Sequence, residues 1–381
     1  MSKLTMIFGI SLVLLLYGGA NLYIGHRLYR GLVLVFPAIN NWVFACMYGV
    51  IALTFILAFI PLPGAIDELA TWFGSYWMGI FIYLLLAFIM VDIVLLIGTL
   101  CQLIPSPIPT NVHISTWLLA ILCTIGFVGY GIYNATQIKE VQYKIAMKDS
   151  VVSSHMKIVL ISDLHLGAVQ SESRLEEIVA RINEMKPDLI AVPGDIFNDD
   201  FNTIKNPARV SELFKQLEAT YGVYATLGNH DGGKTFTRMV ELIENSNITL
   251  LKDEYLIIDE RFALVGRLDP SPIGGYGGLI RNDIQELLDE IDPKLPLIVM
   301  DHTPSNLDQY NNDVDLILSG HTHKGQIFPG SLITKYVFEV DYGHYQKNPD
   351  SPHVIVTSGV GTWGMPMRVG TNNEIVEIIL D

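Results

Sequence analysis

The chain has 381 residues, half of them hydrophobic, and a formal net charge of −15. Its first 150 residues carry 6 Lys and Arg against 5 Asp and Glu, and the remainder carries 18 against 34. An apolar, nearly neutral part therefore precedes an acidic one, which reads as a membrane region followed by a soluble domain. So acidic a domain argues against duplex nucleic acid as a partner, because a duplex binder needs basic stripes to displace condensed counterions. Cys46, Cys101 and Cys123 all lie in the apolar part, so the acidic part has neither a disulfide framework nor a thiolate metal site.

A membrane-spanning helix needs roughly 20 mostly apolar residues. Four stretches meet this: Leu4 to Ile24, Trp42 to Ile60, a span within Tyr76 to Ile104, and Ile114 to Tyr133. Pro61, Pro63, Pro105, Pro107 and Pro109 bound them, and aromatic residues such as Trp42, Trp72, Trp117 and Tyr133 stand near their ends, as expected at a membrane interface. The first stretch follows Lys3 and contains a small-residue "GGA", in the manner of a signal peptide. Its length and the three spans behind it favour a retained helix. The expectation is a four-helix transmembrane region over residues 1–136, a linker and first strand over 137–156, and a soluble domain over 157–381.

An even number of spans puts the N-terminus and the soluble domain on one side of the bilayer. Lys3, Lys139, Lys144 and Lys148 on that side outnumber Arg27 and Arg30 in the loop expected after the first span, which favours a cytoplasmic domain. The Arg pair directly follows the first helix, which often dominates, and this favours the reverse. The reading adopted is a multi-pass cell-membrane protein with an extracytoplasmic domain. Asp92 falls within the third span. A carboxylate there is a functional hypothesis by default, but a single one reads better as protonated or hydrogen-bonded to a neighbouring helix.

Beyond Gln137 the pattern changes to short apolar runs alternating with amphipathic stretches. "KIVLIS" reads as a buried strand, and Ser171 to Met185 as a helix with Ser171 as N-cap. "PDLIAVPGD" and "YGVYATLGNHD" are further strands, with helices expected around Ala208 to Glu218 and from Thr235 to about Ser246. "YLIIDERFALVG" reads as a hairpin, and "LPLIVMDH", "DVDLILSGHTH", "HVIVTSGVG" and "EIVEIIL" as four more strands. Strands that are apolar on both faces must be covered on both, which implies a layered α/β domain.

Polar residues gather where these strands end: Asp163 and His165, Asp195, Asn229 to Asp231, His302, and His321 with His323. Open α/β sheets bind ligands just outside the carboxyl ends of their strands. Carboxylate, amide and imidazole without thiolate form a ligand set for a hard-to-borderline divalent metal. Asp195 is the natural bridge between two ions, and Gly194 before it permits a sharp bend. If "HTH" is extended, His321 and His323 point the same way, and each can serve one ion.

The ordered motifs "SDLHLG", "PGDIFND", "LGNHD", "DHTP" and "SGHTHKGQ" together resemble the calcineurin-like metallophosphoesterase superfamily over roughly Lys157 to Asp381. The tail "SGVGTWGMPMRVGTNNEI" is similar to its membrane-anchored branch. The resemblance implies a layered α-β-β-α sandwich behind the transmembrane region. It also implies two divalent metal ions, for which manganese, zinc and iron all suit the ligands and manganese is preferred. Asp163, His165 and His323 would hold the first metal, Asn229, His302 and His321 the second, and Asp195 would bridge them. A hydroxide between the ions would attack phosphorus. His230 would protonate the leaving group and Asp231 would orient its imidazole. One departure concerns the acid that many members carry three residues after the bridging Asp. Here that residue is Asn198, with Asp199 and Asp200 following, so the group steadying Asp195 stays open.

Lys324 reads as a solvated lysine rather than a phosphate contact. For Arg368, binding a substrate anion and forming a structural salt bridge both stay open. His344 and His353 read as ordinary polar residues. "GSLITKYVFEV", Gly330 to Val340, reads as an element packed in the domain in preference to a lid or a membrane-interface segment. The expected partners are the lipid bilayer and a phosphoester: a monoester, diester or pyrophosphate, lipid-linked ones included. The competing readings are a non-catalytic membrane scaffold, which would usually have lost metal ligands, and a transporter or sensor, which only Asp92 supports.

Overall fold

The computed structural model describes residues 3–60, 62–147, 156–169, 172–310 and 313–381. Pro61, Lys148 and Ser171, invoked above, lie outside them. The chain divides into two compact units, Met1–Gly131 and Ile132–Asp381.

The first unit holds four apolar helices: α1 (Lys3–Val35), α2 (Asn41–Leu57), α3 (Ala65–Leu100) and most of α4 (Thr110–Thr136). Three of them, α1, α3 and α4, are long and apolar enough to cross a membrane, and α2 is a shorter apolar helix. The loop expected to carry Arg27 and Arg30 does not form. No proline interrupts the helix before Pro37, so α1 continues through both arginines. Asp92 on α3 accepts a hydrogen bond from the Tyr23 hydroxyl at 2.6 Å and pairs with Arg27 at 2.7 Å. The intramembrane acid therefore has the neighbouring-helix partner expected of it. The same pairing moves Arg27 from a loop into the helix layer, so it no longer serves in a count of loop charges.

In the second unit the chain runs β1 (Ile138–Ile145), β2 (Met156–Leu160), α5 (Glu172–Met185), β3 (Leu189–Pro193), α6 (Pro207–Phe214), β4 (Val223–Thr226), α7 (Phe236–Glu244) and β5 (Thr249–Leu250). It continues through β6 (Glu254–Ile258), β7 (Phe262–Gly266), α8 (Ile284–Leu288), β8 (Leu297–Met300), β9 (Leu316–Ser319), α9 (Gly330–Val337), β10 (Gly343–Tyr345), β11 (His353–Val356) and β12 (Asn373–Leu380). Two six-stranded sheets result, ordered β1-β12-β2-β3-β4-β5 and β10-β11-β9-β8-β7-β6. The segment after Gln137 is thus a full edge strand, paired in parallel with β12 over its whole length.

Side-chain alternation explains why the strands are apolar throughout. On β2, Ile158 and Leu160 point between the sheets, where they meet Leu264, Ile298, Met300 and Leu318. Val159, between them, joins Leu175, Ile182, Leu213 and Met239 of the helices on the outer face. The outer face of the second sheet packs Val299 and Ile317 against Ile284 and Leu288 of α8. The domain is the expected α-β-β-α sandwich.

The element expected to pack over Gly330 to Val340 forms α9, but its apolar side faces out. Ser331, Thr334 and Phe338 are half-buried, whereas Leu332, Ile333, Tyr336 and Val337 are exposed, Tyr336 at 92%. Thr334 turns inward because its hydroxyl donates to Asp341 at 2.9 Å.

Leu160 is fully buried between the sheets. Leu160→Ala should cost about 3 kcal/mol through lost transfer energy and a residual cavity. The measurement is hydrogen exchange of the β2 and β3 amides in the detergent-solubilised chain, and unchanged protection would mean that this face is not packed.

Candidate metal centre

The polar cluster lies at the carboxyl ends of five strands. β2, β3 and β4 of the first sheet lead to Asp163 and His165, to Asp195, and to Asn229 and His230. β8 and β9 of the second lead to His302 and to His321 and His323. All of these residues except Asn229 and His321 are more than nine-tenths buried.

Two triads form, each with ligand atoms within 4.8 Å of one another: Asp163, His165 and His323, and Asp195, His302 and His321. In the first, His165 Nε2 and His323 Nε2 are 3.0 Å apart, and Asp163 Oδ1 is 3.3 Å from the latter. In the second, His302 Nε2 is 3.1 Å from Asp195 Oδ2. Asn229 Oδ1 stands 2.9 Å from His321 Nδ1 and so joins the second triad. Asp195 Oδ2 also lies 3.7 Å from His165 Nε2, which sets this carboxylate between the two groups.

Backbone strain places these side chains. Asp163, His165, Asp195, His321 and His323 all have positive φ, from 48° to 70°, a region costly for residues with a Cβ and characteristic of functional sites. The dyad is therefore not extended. His321 and His323 reach different triads because the chain turns through left-handed conformations at both, with Thr322 right-handed between them. Gly194, at φ +81°, passes so close to Gly228 that a Cβ would strike its backbone amide, so only glycine fits before Asp195. Gly320 likewise leaves no space for a side chain beside Ser162 and Asp163.

The donors suit cations. His302 Nδ1 lies 2.8 Å from the Pro193 carbonyl and donates to it, so Nε2 presents a lone pair to the Asp195 carboxylate. That nitrogen is buried and out of line for a hydrogen bond, and His165 Nδ1 is also buried without a hydrogen-bond partner. A lone pair facing a carboxylate in the interior calls for a cation between them. Burial opposes charge on His302, but Asp195 raises its pKa well above the ordinary value, so a proton takes that place on Nε2 whenever a metal ion does not. Burial lowers His165 to about 3 and His321 to about 4, and holds His323 well below its usual value with Arg368 adding to the effect, so these three imidazoles are neutral as metal ligation requires. The residues present fit a pair of divalent ions.

His230 stands beside the first triad, its ring 5.2 Å from that of His165, and its amide donates to Asp195 Oδ1 at 2.9 Å. The partner expected for its imidazole is replaced. Asp199 Oδ1 is 2.7 Å from His230 Nδ1, whereas Asp231 accepts from the Phe197 and Gly228 amides, each at 2.8 Å, and braces the loop from inside. Asp231 follows the histidine directly, and its side chain points to the opposite side of the turn. Burial acts to lower the His230 pKa, but the Asp199 hydrogen bond and the charges of Asp195 and Asp199 outweigh it and leave it raised.

Arg368 is completely buried, and its observed contacts are structural, made through hydrogen bonds. It donates to the carbonyls of His323, Ser358 and Gly361 and to Asn373 Oδ1, and so packs beneath His323 as a hydrogen-bonding cation. Lys324 places its ammonium 3.8 Å from the centroid of the Tyr342 ring. His344 and His353 pair with each other at 2.9 Å on β10 and β11. Trp363, which the sequence did not single out, lies 5.7 Å from the His230 ring.

The family model for calcineurin-like phosphoesterases matches residues 156–325, a span that contains both triads, Asn229 and His230. A metallophosphoesterase of Aquifex aeolicus is 30% identical over 240 residues, covering 63% of this chain and 90% of that relative. A metallophosphoesterase of Campylobacter jejuni is 27% identical over 379 residues, 96% of each chain. A transmembrane protein with metallophosphoesterase domain from Danio rerio is 29% identical over 281 residues, 69% of this chain, and the match spans 62% of its own length. With its strand-end triads and with nine-tenths of the Aquifex relative covered, this chain belongs to the calcineurin-like phosphoesterase family.

Proposed function

We propose that the protein is a membrane-anchored phosphoester hydrolase that works with two divalent metal ions. The observation that carries this reading is the position of Asp195, within 3.1 Å of His302 and 3.7 Å of His165, between two triads of buried carboxylate and imidazole. When bound, the ions would supply Lewis acidity to the phosphoryl oxygens and bring the pKa of a water toward neutrality. Asp163, His165 and His323 would hold one ion, and Asn229, His302 and His321 the other, with Asp195 shared. His230, held by Asp199, would give its proton to the leaving oxygen. Asp199 and the Asp195 carboxylate keep that imidazole protonated at higher pH than an isolated histidine. Asp231 serves the loop, through the Phe197 and Gly228 amides.

The substrate class proposed is a phosphomonoester, phosphodiester or pyrophosphate, with lipid-linked forms favoured by the apolar helices of the same chain. The acidic balance beyond residue 150 disfavours duplex nucleic acid. Manganese is the first metal to test. A non-catalytic scaffold is the alternative, and complete retention of the ligand set speaks against it.

A hydrolysis screen in detergent with Mn²⁺, comparing lipid-linked and soluble phosphoesters, tests the reading. Asp195→Asn and His323→Ala should lose both bound metal, read by elemental analysis, and activity. If wild type equals Asp195→Asn on every substrate, the enzyme reading fails. His230→Ala should retain metal and lose about 10²–10⁴-fold in rate, the usual worth of a general acid. The protonated imidazole is the active form, so the rate should fall as pH rises through its pKa. Asp199→Asn removes a group that raises this pKa, so the alkaline limb of the pH–rate profile should move to lower pH. An unmoved limb would take the proton-donor role from His230.

A further inference from the structure

α9 is amphipathic in the reverse of the usual sense. Its hydroxyl-bearing Ser331 and Thr334 are turned toward the domain, and Leu332, Ile333, Tyr336 and Val337 form one continuous outward arc. Apolar arcs of this kind on a small helix mark an interaction surface rather than a folding element. The helix is also fixed in place. Gly325 and Gly330 pack backbone to backbone with no space for a side chain, and the Phe338 ring at its C-terminal end lies 5.6 Å from that of His321.

Two features identify what covers the arc. First, the chain just before α9 is tied to the end of an apolar helix. The Phe328 amide donates to the Val369 carbonyl, and Val369 adjoins Arg368, whose carbonyl accepts from Asn134 in the last turn of α4. Asn134 also donates to the Thr371 carbonyl, and Asn373 donates to that of Ala135. α4 is one of the helices long and apolar enough to cross a bilayer, and only Gln137 separates its end from β1. Second, the outward arc joins aliphatic side chains to Tyr336, and Trp363, half-exposed, is bonded through its backbone to both ends of the Gln326 amide. Aromatic rings with one polar tip are the residues that favour the boundary between headgroups and acyl chains. Lys335, between the apolar and inward faces, has the stem and charge to reach back to headgroups.

We propose that α9 is an interfacial helix whose Leu332, Ile333, Tyr336 and Val337 insert into the boundary layer of a lipid bilayer. A helix of this kind lies in the plane of the interface. This surface does not depend on the hydrolytic reading, because lipid contact needs neither metal nor turnover.

The test uses the full chain with Cys46, Cys101 and Cys123 replaced by alanine, reconstituted in phosphatidylcholine–phosphatidylglycerol vesicles. Single nitroxide labels are placed at Leu332→Cys, Ile333→Cys and Tyr336→Cys, with the exposed Lys215→Cys at the end of α6 as the aqueous reference. Relaxation by oxygen and by a water-soluble nickel chelate reports depth at each label. The three α9 labels should read about 5–10 Å into the headgroup–acyl boundary, and the reference should read as water. Two results overturn the proposal. Water-like accessibility at all three α9 sites leaves the arc outside the membrane. Protection from both relaxants means that a protein surface, a second copy or another chain, covers it instead. Because three positions are labelled separately, misfolding of one variant leaves the others to decide.

Discussion

Asp195 is a carboxylate kept ionised in the interior, and the rest of the centre is arranged around that fact. Burial alone would favour its neutral form. His302, at 3.1 Å, is the largest opposing influence, and with the other histidines nearby it holds the carboxyl well below the usual range. The amide of His230 donates to its other oxygen, so the loop after β4 is oriented by the same charge. The candidate metal ligands and the proposed proton donor therefore share one electrostatic origin. Asp163, with burial dominant, is raised to about 6, and Asp231 to about 7 for the same reason with the Asp195 charge adding to it. Like charges crowded into low dielectric cannot all ionise, and Asp195 is the one that the surrounding imidazoles favour.

Much of this was legible in the sequence because the signals are local. Short apolar runs ending in glycine and then His, Asp or Asn mark parallel strands whose ends carry chemistry, and each of those ends is where the text of the chain places it. The means by which the dyad divides was not legible. Alternation on an extended segment would send both rings one way, and nothing in "HTH" announces left-handed backbone at either histidine. Asp199 was hidden for a similar reason. The turn after β3 returns it to the His230 imidazole, a tertiary event, while the adjacent Asp231 turns away to accept two amides.

The membrane half and α9 expose a different blind spot. Hydropathy reports how apolar a helix is, not which way its apolar side faces. "GSLITKYV" has a clear apolar side, and the default assumption turns that side inward. Thr334 decides otherwise, through its bond to Asp341. In α1, Arg27 and Arg30 argue for a loop, because an arginine in a span is costly. Asp92 removes much of that cost by pairing with Arg27, so the helix runs on. In both cases a polar side-chain contact overrode a pattern of hydropathy and charge read along the sequence.

The division of the ligands between the sheets has a mechanical side. Asp163 and His165 leave the first sheet and His323 the second; Asp195 leaves the first, His302 and His321 the second. Neither triad is complete within one sheet. Each is a clasp across the seam of the sandwich, closed only when both halves are in register. An ion held there would tie the two sheets together at their carboxyl ends, so separating them would require releasing it. Stability of the domain and occupancy of the centre would then be a single linked equilibrium. The inter-sheet core and the clasp bear on the same seam, one by excluding water along its length and the other by crossing its mouth.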